Sequence, residues 1–178
     1  MTCVNDIILV RPDETMLDEI RSYRDAMLAA DSAMDGTSGL NRYDDPSGWL
    51  AHVRALETPE TCPPHWVTAT LYVVVRPTDS RIVGMIDLRH YLNDYLAEYG
   101  GHIGYSVRPD ERRRGYASRM LALALDKARE RGLGRVLITC DEDNEASRRT
   151  ILKNGGVFQN NIWLESDKQT VSRYWIEL

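Results

Sequence analysis

The sequence predicts an α/β fold in which helices flank one sheet, and three observations lead to this prediction. Short runs rich in β-branched residues, typical of strands, alternate with segments whose apolar residues recur every three or four positions, as in amphipathic helices. Clusters of glycine, proline, aspartate and asparagine separate these segments. The length of 178 residues is that of one domain with a substantial core, so residues 1–178 are predicted to form a single domain.

The first third of the chain predicts one strand and two helices. Residues 7–10 form an apolar, β-branched run, and Asp13 is a suitable N-cap for an amphipathic helix that extends to about residue 34. The segment 35–46 is rich in Gly, Ser, Asn and Asp and predicts an irregular loop. A second, short helix is expected at residues 49–57.

The middle of the chain predicts a β-hairpin, a third strand and a long helix. The β-branched runs 66–76 and 82–88 flank a turn with proline and aspartate and are expected to pair. Another strand is predicted at 102–107. The helix that begins at Ala117 carries a stripe of apolar residues at intervals of three and four, and Gly132 ends it.

The last part of the chain predicts a strand, a short helix and two further strands. Residues 135–140 include a fully apolar run, which is typical of a strand covered on both faces, so this strand is expected to be central. Asp143 or Asn144 is expected to cap a helix at 145–154. The two final strands are predicted at residues 157–164 and 171–178.

Composition limits the classes of function. The net charge of −5 and the isoelectric point near 5.4 argue against a protein that binds nucleic acid by general attraction. The three cysteines, Cys3, Cys62 and Cys140, lack the paired spacing of a metal site or a redox motif, so no metal is predicted. Neither a basic leader nor a bilayer-length apolar run is visible, and we therefore expect a soluble, cytoplasmic protein without a membrane partner.

A basic glycine turn at Arg112–Ala117 separates the strand at 102–107 from the long helix. The free N–H groups and the dipole of a helix amino terminus attract anions, and glycine allows a ligand to approach the backbone closely. Three arginines add forked donors that suit phosphate. The turn therefore predicts a site for a small anion, although a solvated basic turn would have the same sequence.

Two motifs occur in order around the strand at 135–140. The first has arginine, two residues, glycine, one residue and alanine, at Arg112, Gly115 and Ala117. The second is an asparagine at a helix start with a small residue three positions later, at Asn144 and Ser147. Together with the order of strands and helices over nearly the whole chain, these motifs resemble the GNAT superfamily of acetyl-CoA-dependent N-acetyltransferases.

The resemblance implies a mixed, mostly antiparallel sheet of about six to seven strands, in which two central strands splay apart and hold an acetyl thioester. It also implies that acetyl-CoA is the cosubstrate. Its pyrophosphate would lie on the amides of residues 113–118, and its pantetheine arm would lie along the main chain of residues 105–107. The implied cofactor-binding residues are Tyr105, Ser106, Val107, Arg112, Arg113, Arg114, Gly115, Tyr116, Ala117, Ser118 and Asn144.

Deprotonation of the acceptor is the remaining chemical requirement, because only a neutral amine attacks. His102 begins the strand expected to carry the thioester, and its ordinary pKa of about 6.5 makes it our candidate for the base, although a lone histidine at a strand end is commonly structural. Asp141, Glu142 and Tyr105 are alternatives with equally ordinary explanations. Many relatives place a tyrosine acid seven residues after the motif asparagine, where this chain has Ile151.

We therefore expect acetyl transfer from acetyl-CoA to a primary amine of a small molecule or peptide, by direct attack in a ternary complex. The alternative is a non-catalytic acyl-CoA-binding or regulatory module, which Ile151 favours. A nucleotide-binding protein is a third interpretation, but a phosphate-loop Gly-Lys-Ser/Thr signature is absent. Acidic residues between positions 31 and 45 would suit a cationic acceptor, and the aromatic segment at 163–175 would suit either the core or the interface of a homodimer.

Overall fold

The computed structural model describes residues 6–178, and it contains the strands and helices that the sequence predicts, with differences at their ends. A π-helical turn at Leu96–Gly100, closed by the 2.7 Å bond from the Gly101 N–H to the Leu96 carbonyl, was not predicted. The elements are β1 (Ile8–Val10), α1 (Leu17–Ala29), α2 (Pro46–Ala55), β2 (Ala69–Arg76), β3 (Arg81–Arg89), β4 (Ile103–Val107), α3 (Tyr116–Glu130), β5 (Arg135–Asp141), α4 (Glu145–Lys153), β6 (Val157–Leu164) and β7 (Gln169–Glu177).

The strands form two antiparallel sheets. The first has the order β1-β2-β3-β4 and includes the predicted hairpin of β2 and β3. The second has the order β5-β7-β6. The predicted α/β class and the predominance of antiparallel pairing are therefore confirmed. The strand expected to be central, β5, is buried as predicted, but within its sheet it pairs only with β7.

A junction at His102 joins the two sheets at the start of β4. The His102 N–H donates to the carbonyl oxygen of Leu137 in β5 (2.7 Å), and the Leu137 N–H donates to Nδ1 of the His102 ring (2.9 Å). Beyond this point β4 and β5 separate, since neither has a ladder partner on the side that faces the other. The splayed central strands are thus confirmed, and the gap between them is the floor of a cavity.

Helices cover both faces of the first sheet. Alternate residues of β2 belong to two different hydrophobic clusters, because successive side chains of a strand point to opposite faces. One cluster packs beneath α3 and α4, where Met120 and Ile151 are fully buried. The other packs beneath α1 and α2, where Tyr23 and Trp49 are fully buried. This double cover holds the sheets in place around the cavity.

Helix α1 ends at Ala29, several residues before the predicted end near residue 34. The Ser32 N–H donates to the carbonyl of Met27 (3.0 Å), and Asp31 adopts a left-handed backbone with φ +47°, which stops the helix. Helical periodicity alone did not reveal this turn. Its consequence is functional, because the chain after Asp31 runs across β4 and reaches the cavity.

Three further expectations concern the surface and the cysteines. Within residues 6–178, no helix combines the length and apolarity that a bilayer crossing needs. Cys62 and Cys140 are free thiols, and Cys3 lies outside the described residues. Of the aromatic residues near the carboxyl end, Tyr174 lies in the core, whereas Trp163 is exposed on β6.

Candidate active site

A cavity of about 1180 Å³ lies between β4, β5 and the start of α3. Its volume exceeds the range of about 300–1,000 Å³ that is common for small-molecule sites, which suits a large ligand or two ligands together. All of the predicted cofactor residues except Arg114 line it. Those that do are Tyr105, Ser106, Val107, Arg112, Arg113, Gly115, Tyr116, Ala117, Ser118 and Asn144.

The turn before α3 has the geometry of an anion cradle. Gly115 is the N-cap of α3 and has a φ of +82°, a conformation that favours glycine. An added Cβ at Gly115 would meet no atom within 4 Å, so the space above the turn is open. The first intrahelical bond runs from the Arg119 N–H to the Gly115 carbonyl (3.2 Å). The preceding N–H groups, from Tyr116 to Ser118, therefore point out of the helix end.

Arg112 and Arg113 place positive charge beside this turn. The Arg112 guanidinium donates from Nε to the Val107 carbonyl (3.1 Å) and from Nη2 to the Ser32 hydroxyl (2.5 Å). These two bonds fix the charge at the edge of the cavity. Arg113 has a left-handed backbone, φ +63°, and an exposed side chain.

Glu111 lines the cavity and pairs with Arg114, whose side chain does not line it. The Glu111 carboxylate is only 4 % exposed and forms ion pairs with Arg114 (3.2 Å), Arg76 (2.9 Å) and Arg81 (3.2 Å). Arg76 also pairs with Asp79, and Arg81 also pairs with Asp110, so these ion pairs fix the segment that leads into the turn. The Arg114 side chain thus supports the turn and is not part of the cavity wall.

The side chains of β4 are occupied by contacts with other elements. The Tyr105 hydroxyl lies 2.7 Å from the Ser147 hydroxyl at the start of α4, and burial raises the pKa of Tyr105 to about 12. Asn144 accepts the Ser147 N–H (3.1 Å) and so caps α4 as predicted. With these side chains engaged, the main chain on the free edge of β4 is the part that an extended ligand would meet.

The geometry gives His102 a structural role and does not support the predicted role of general base. The residue is 7 % exposed and does not line the cavity. Its Nδ1 lone pair accepts the Leu137 N–H, and burial, with the nearby Arg89 charge, lowers the pKa of His102 to about 4. The ring is therefore neutral at physiological pH and joins the two sheets.

Carboxylates also line the cavity. Asp141, an alternative in the sequence analysis, lines it together with Asp167, whereas Glu142 does not and instead accepts a bond from Asn161 (2.8 Å). Burial, followed by the Asp143 carboxylate, raises the pKa of Asp141. The cavity lining therefore combines the arginines of the turn with carboxylates at the end of β5 and just before β7.

Asp35 also lines the cavity, although no sequence motif marks it. Its carbonyl accepts a bond from the Ser106 hydroxyl (2.7 Å), and that hydroxyl lies 2.9 Å from the Tyr23 hydroxyl. The next residue, Gly36, packs so closely on β4 that an added Cβ would lie 2.2 Å from the Gly104 carbonyl oxygen. The available sequence signal was the Asp-Gly pair within the acidic loop, which has no distinguishing motif.

A model of the acetyltransferase (GNAT) family matches residues 39–155, which is more than half of the chain. The chain belongs to the acetyltransferase (GNAT) family. This finding confirms the predicted family and the enzyme class, and it supports acetyl transfer from acetyl-CoA as the activity. No curated protein matches the chain by sequence.

Solved structures of acetyltransferases share this fold. The ribosomal-protein-S5-alanine acetyltransferase from Vibrio fischeri is 16 % identical, with a TM-score of 0.69, and the match covers 96 % of this chain and 91 % of that one. Mycobacterium smegmatis RimJ, in complex with CoA-disulfide, is 17 % identical, with a TM-score of 0.72 and coverage of 96 % and 81 %. A chimera of the spermidine N-acetyltransferase SpeG from Vibrio cholerae and hSSAT is 12 % identical, with a TM-score of 0.64 and coverage of 96 % and 94 %.

In this GNAT chain, the residues of both sequence motifs line the cavity. Arg112, Gly115 and Ala117 all line the cavity, and so do Asn144 and Ser147. The described residues, 6–178, contain no group of three His, Cys, Asp or Glu side chains arranged to hold a metal ion. The absence of a metal remains a prediction from the sequence.

Proposed function

We propose that this GNAT-family protein transfers the acetyl group of acetyl-CoA to a primary amine by direct attack in a ternary complex. One observation carries the proposal: the turn at Gly115 and the carboxylates Asp35 and Asp141 line the same cavity. The cradle suits an anionic donor, and the carboxylates suit a cationic acceptor. Both would reach the gap between β4 and β5.

The donor would be held by the groups of the turn before α3. The N–H groups of Tyr116, Ala117 and Ser118 would receive the pyrophosphate, with Arg112 and Arg113 beside it. The free main-chain edge of β4 would bind the extended arm by strand-like hydrogen bonds, as edge strands commonly bind extended ligands. The thioester would then lie where β4 and β5 part.

Direct attack of the amine on acetyl-CoA forms the amide without an acetyl-enzyme intermediate. The neutral amine nitrogen attacks the acetyl carbon, a C–N bond forms, and the C–S bond breaks with its electron pair on sulfur. Main-chain N–H donors on the open edge of β4 would stabilise the oxyanion. Because a thiol has a pKa of about 8.5, the departing thiolate needs little help, which agrees with Ile151 lying in the core instead of an acid in the cavity.

Cys140 supports direct attack over a covalent acetyl-enzyme. It is the cysteine that lines the cavity, but burial and the adjacent Asp141 carboxylate raise the pKa of its thiol to about 11. At neutral pH very little thiolate is present, and the thiolate is the nucleophilic form. An acetyl group therefore has no activated carrier at this position.

The test of the proposal is turnover with a panel of amines. Purified protein is mixed with acetyl-CoA and with small monoamines, polyamines or peptides, and free thiol release is followed while mass spectrometry identifies the product. We expect an N-acetylated product from at least one amine class. Acetyl-CoA binding measured by calorimetry, without turnover on any amine, would instead establish the non-catalytic acyl-CoA-binding module.

A further inference from the structure

A second cavity of about 430 Å³ adjoins the first. Five residues line both cavities, and they mark the place where the two meet. They are Asp35, Gly36, Arg89, Tyr95 and Leu96. The second cavity therefore offers a separate approach to the gap between β4 and β5, on a side that lacks the anion cradle.

Charge pairing in the second cavity leaves Asp35 as its uncompensated charge. Asp87 accepts the Gly104 N–H (3.0 Å) and lies 3.4 Å from the Arg89 guanidinium, so these two charges offset one another. Arg89 is further held by the carbonyls of Gly100 (2.8 Å) and Gly101 (3.0 Å). Among residues 6–178, the Asp35 carboxylate has neither a hydrogen-bond donor nor an ion-pair partner, and it is exposed to the cavities.

The environment of Asp35 gives its carboxylate an increased affinity for a proton. Although Asp35 is open to the cavities, the protein around it reduces its contact with water, and this desolvation is the main cause that raises its pKa. The carboxylates of Asp141 and Asp87 act in the same direction, and Arg89 opposes them. The backbone at Asp35 is fixed by the bond from Ser106 and by the packing of Gly36 on β4. An unpaired carboxylate on a fixed backbone suits both contact with an ammonium and removal of its proton.

The rest of the second cavity is largely apolar and aromatic. Trp66 and Tyr95 line it and are 44 % and 56 % exposed, which is unusual for side chains of this size. The His52 ring packs against the Trp66 ring in a T-shaped arrangement, with 5.1 Å between the ring centroids, and this contact positions the indole. The other apolar side chains of the lining are Met34, Leu56, Val67, Ala69 and Leu96.

We propose that Asp35 binds the ammonium group of the acceptor and accepts its proton, and that the acceptor is a compact primary amine whose apolar body lies in the second cavity. This inference rests on the proposed acetyltransferase function. The complementarity is direct: a single negative charge stands beside an apolar recess of about 430 Å³, and a small arylalkylamine has one positive charge on an apolar body. A polyamine would bring further charges into a recess with no carboxylate left for them.

The proton and electron balance is complete with these groups. The ammonium gives one proton to the Asp35 carboxylate, which later releases it to solvent. The nitrogen then forms the C–N bond, and the C–S bond breaks with its electron pair on sulfur. The nitrogen loses its second proton, which ends on the thiolate, so the products are the amide and the free thiol of coenzyme A.

The first experiment replaces the carboxylate with its amide in Asp35→Asn and measures kcat/KM for 2-phenylethylamine. We expect a loss of about 100-fold or more at pH 7, since a general base contributes about 10²–10⁴ in rate. The loss should shrink as the pH approaches about 10, where a large share of the amine is already neutral in solution. A merely structural role for Asp35 would give a loss that does not depend on pH in this way.

The control is Asp31→Asn, the same substitution in the same loop. Asp31 lines neither cavity, and asparagine tolerates its left-handed backbone. We expect wild-type kcat/KM from this variant. The charged and titratable groups around Asp35 are Asp87, Arg89, Asp141, His65 and Tyr95, and they remain the same in both variants.

The second experiment tests the apolar recess with Trp66→Ala. We expect KM for 2-phenylethylamine to rise about tenfold while the Kd for acetyl-CoA stays unchanged. Trp163→Ala removes a similarly exposed indole from β6, outside both cavities, and should leave KM unaltered. Wild-type protein should also prefer 2-phenylethylamine over spermidine and over a tetrapeptide with an amino-terminal alanine by tenfold or more in kcat/KM.

The outcomes of these experiments distinguish a failure of this inference from a failure of the proposed acetyltransferase function. If the protein turns over amines and Asp35→Asn has the kcat/KM of the wild type, the inference is overturned and the acetyltransferase function stands. A preference for spermidine or the peptide has the same meaning. Acetyl-CoA binding without turnover of any amine overturns both. Binding of 2-phenylethylamine to the protein saturated with coenzyme A, measured by calorimetry, should weaken in Asp35→Asn, and unchanged binding would also contradict the inference.

Discussion

Gly115→Glu is the sharpest test of the anion cradle, because it adds a carboxylate where the structure leaves open space. An added Cβ at Gly115 meets no atom within 4 Å, so the new side chain does not clash with the protein itself. It would instead extend into the space above the first turn of α3. The variant is therefore expected to fold and to lose acetyl-CoA binding.

The backbone conformation sets the expected loss of stability in Gly115→Glu, and charge repulsion sets the expected loss of acetyl-CoA affinity. A non-glycine residue at a φ of +82° costs about 1–2 kcal/mol, against a usual stability of about 5–15 kcal/mol, so the folded state persists. A carboxylate about 5 Å from one phosphate charge repels it by about 3 kcal/mol at an effective dielectric constant of about 20. That repulsion alone corresponds to a rise in Kd of about 100-fold.

The chain offers a matched control in Gly132→Glu. Gly132 follows the other end of α3, has a φ of +86°, and an added Cβ there also meets no atom within 4 Å. The two variants should show similar losses in the free energy of unfolding, measured with urea, whereas calorimetry should show a weakened Kd for acetyl-CoA only in Gly115→Glu. A wild-type Kd in Gly115→Glu, or an equal loss in both variants, would refute the assignment of the cradle.

Three further predictions concern residues around the cavity. Glu111→Gln should lower the free energy of unfolding by about 1–3 kcal/mol in urea titrations and weaken acetyl-CoA binding, because it removes the charge that holds three partly exposed arginines. His102 stays neutral in the folded protein down to its pKa of about 4, whereas the unfolded residue titrates near 6.5. The free energy of unfolding is therefore expected to fall by up to about 3 kcal/mol as the pH drops from 6.5 to about 4. The fall should be smaller in His102→Gln. A dependence as steep in His102→Gln as in the wild type would contradict this assignment. Cys140→Ser should keep kcat within a few-fold of wild type in the thiol-release assay, and complete loss would point to a covalent acetyl-enzyme.

The turn proposed to bind the donor was predictable because local sequence determines its structure. A strand, a basic glycine turn and a helix start at consecutive positions, so the motif from Arg112 to Ala117 fixes the geometry of the cradle without distant contacts. The same holds for Asn144, whose capping bond to Ser147 spans three residues. Arg114 departs from the expected pattern, because its side chain pairs with the buried Glu111 carboxylate and does not line the cavity.

The acceptor side was not predictable because its residues come from distant segments. Asp35 reaches the cavity only because Asp31 ends α1 early and because Gly36 packs on Gly104, a contact between residues that are far apart in the chain. The choice of His102 as the base relied on its position at a strand end. The bond from the Leu137 N–H, which no motif records, gives the ring a structural role.

Periodicity, turn residues and a contiguous motif are local properties of the chain, so they predicted the order of strands and helices, the family and the basic glycine turn before α3. The folded structure was needed to show that Asp35 lines the cavity, that His102 is buried and where the second cavity opens. Those features depend on the packing of loops across the sheet and on burial, which shifts proton affinities through desolvation and neighbouring charge.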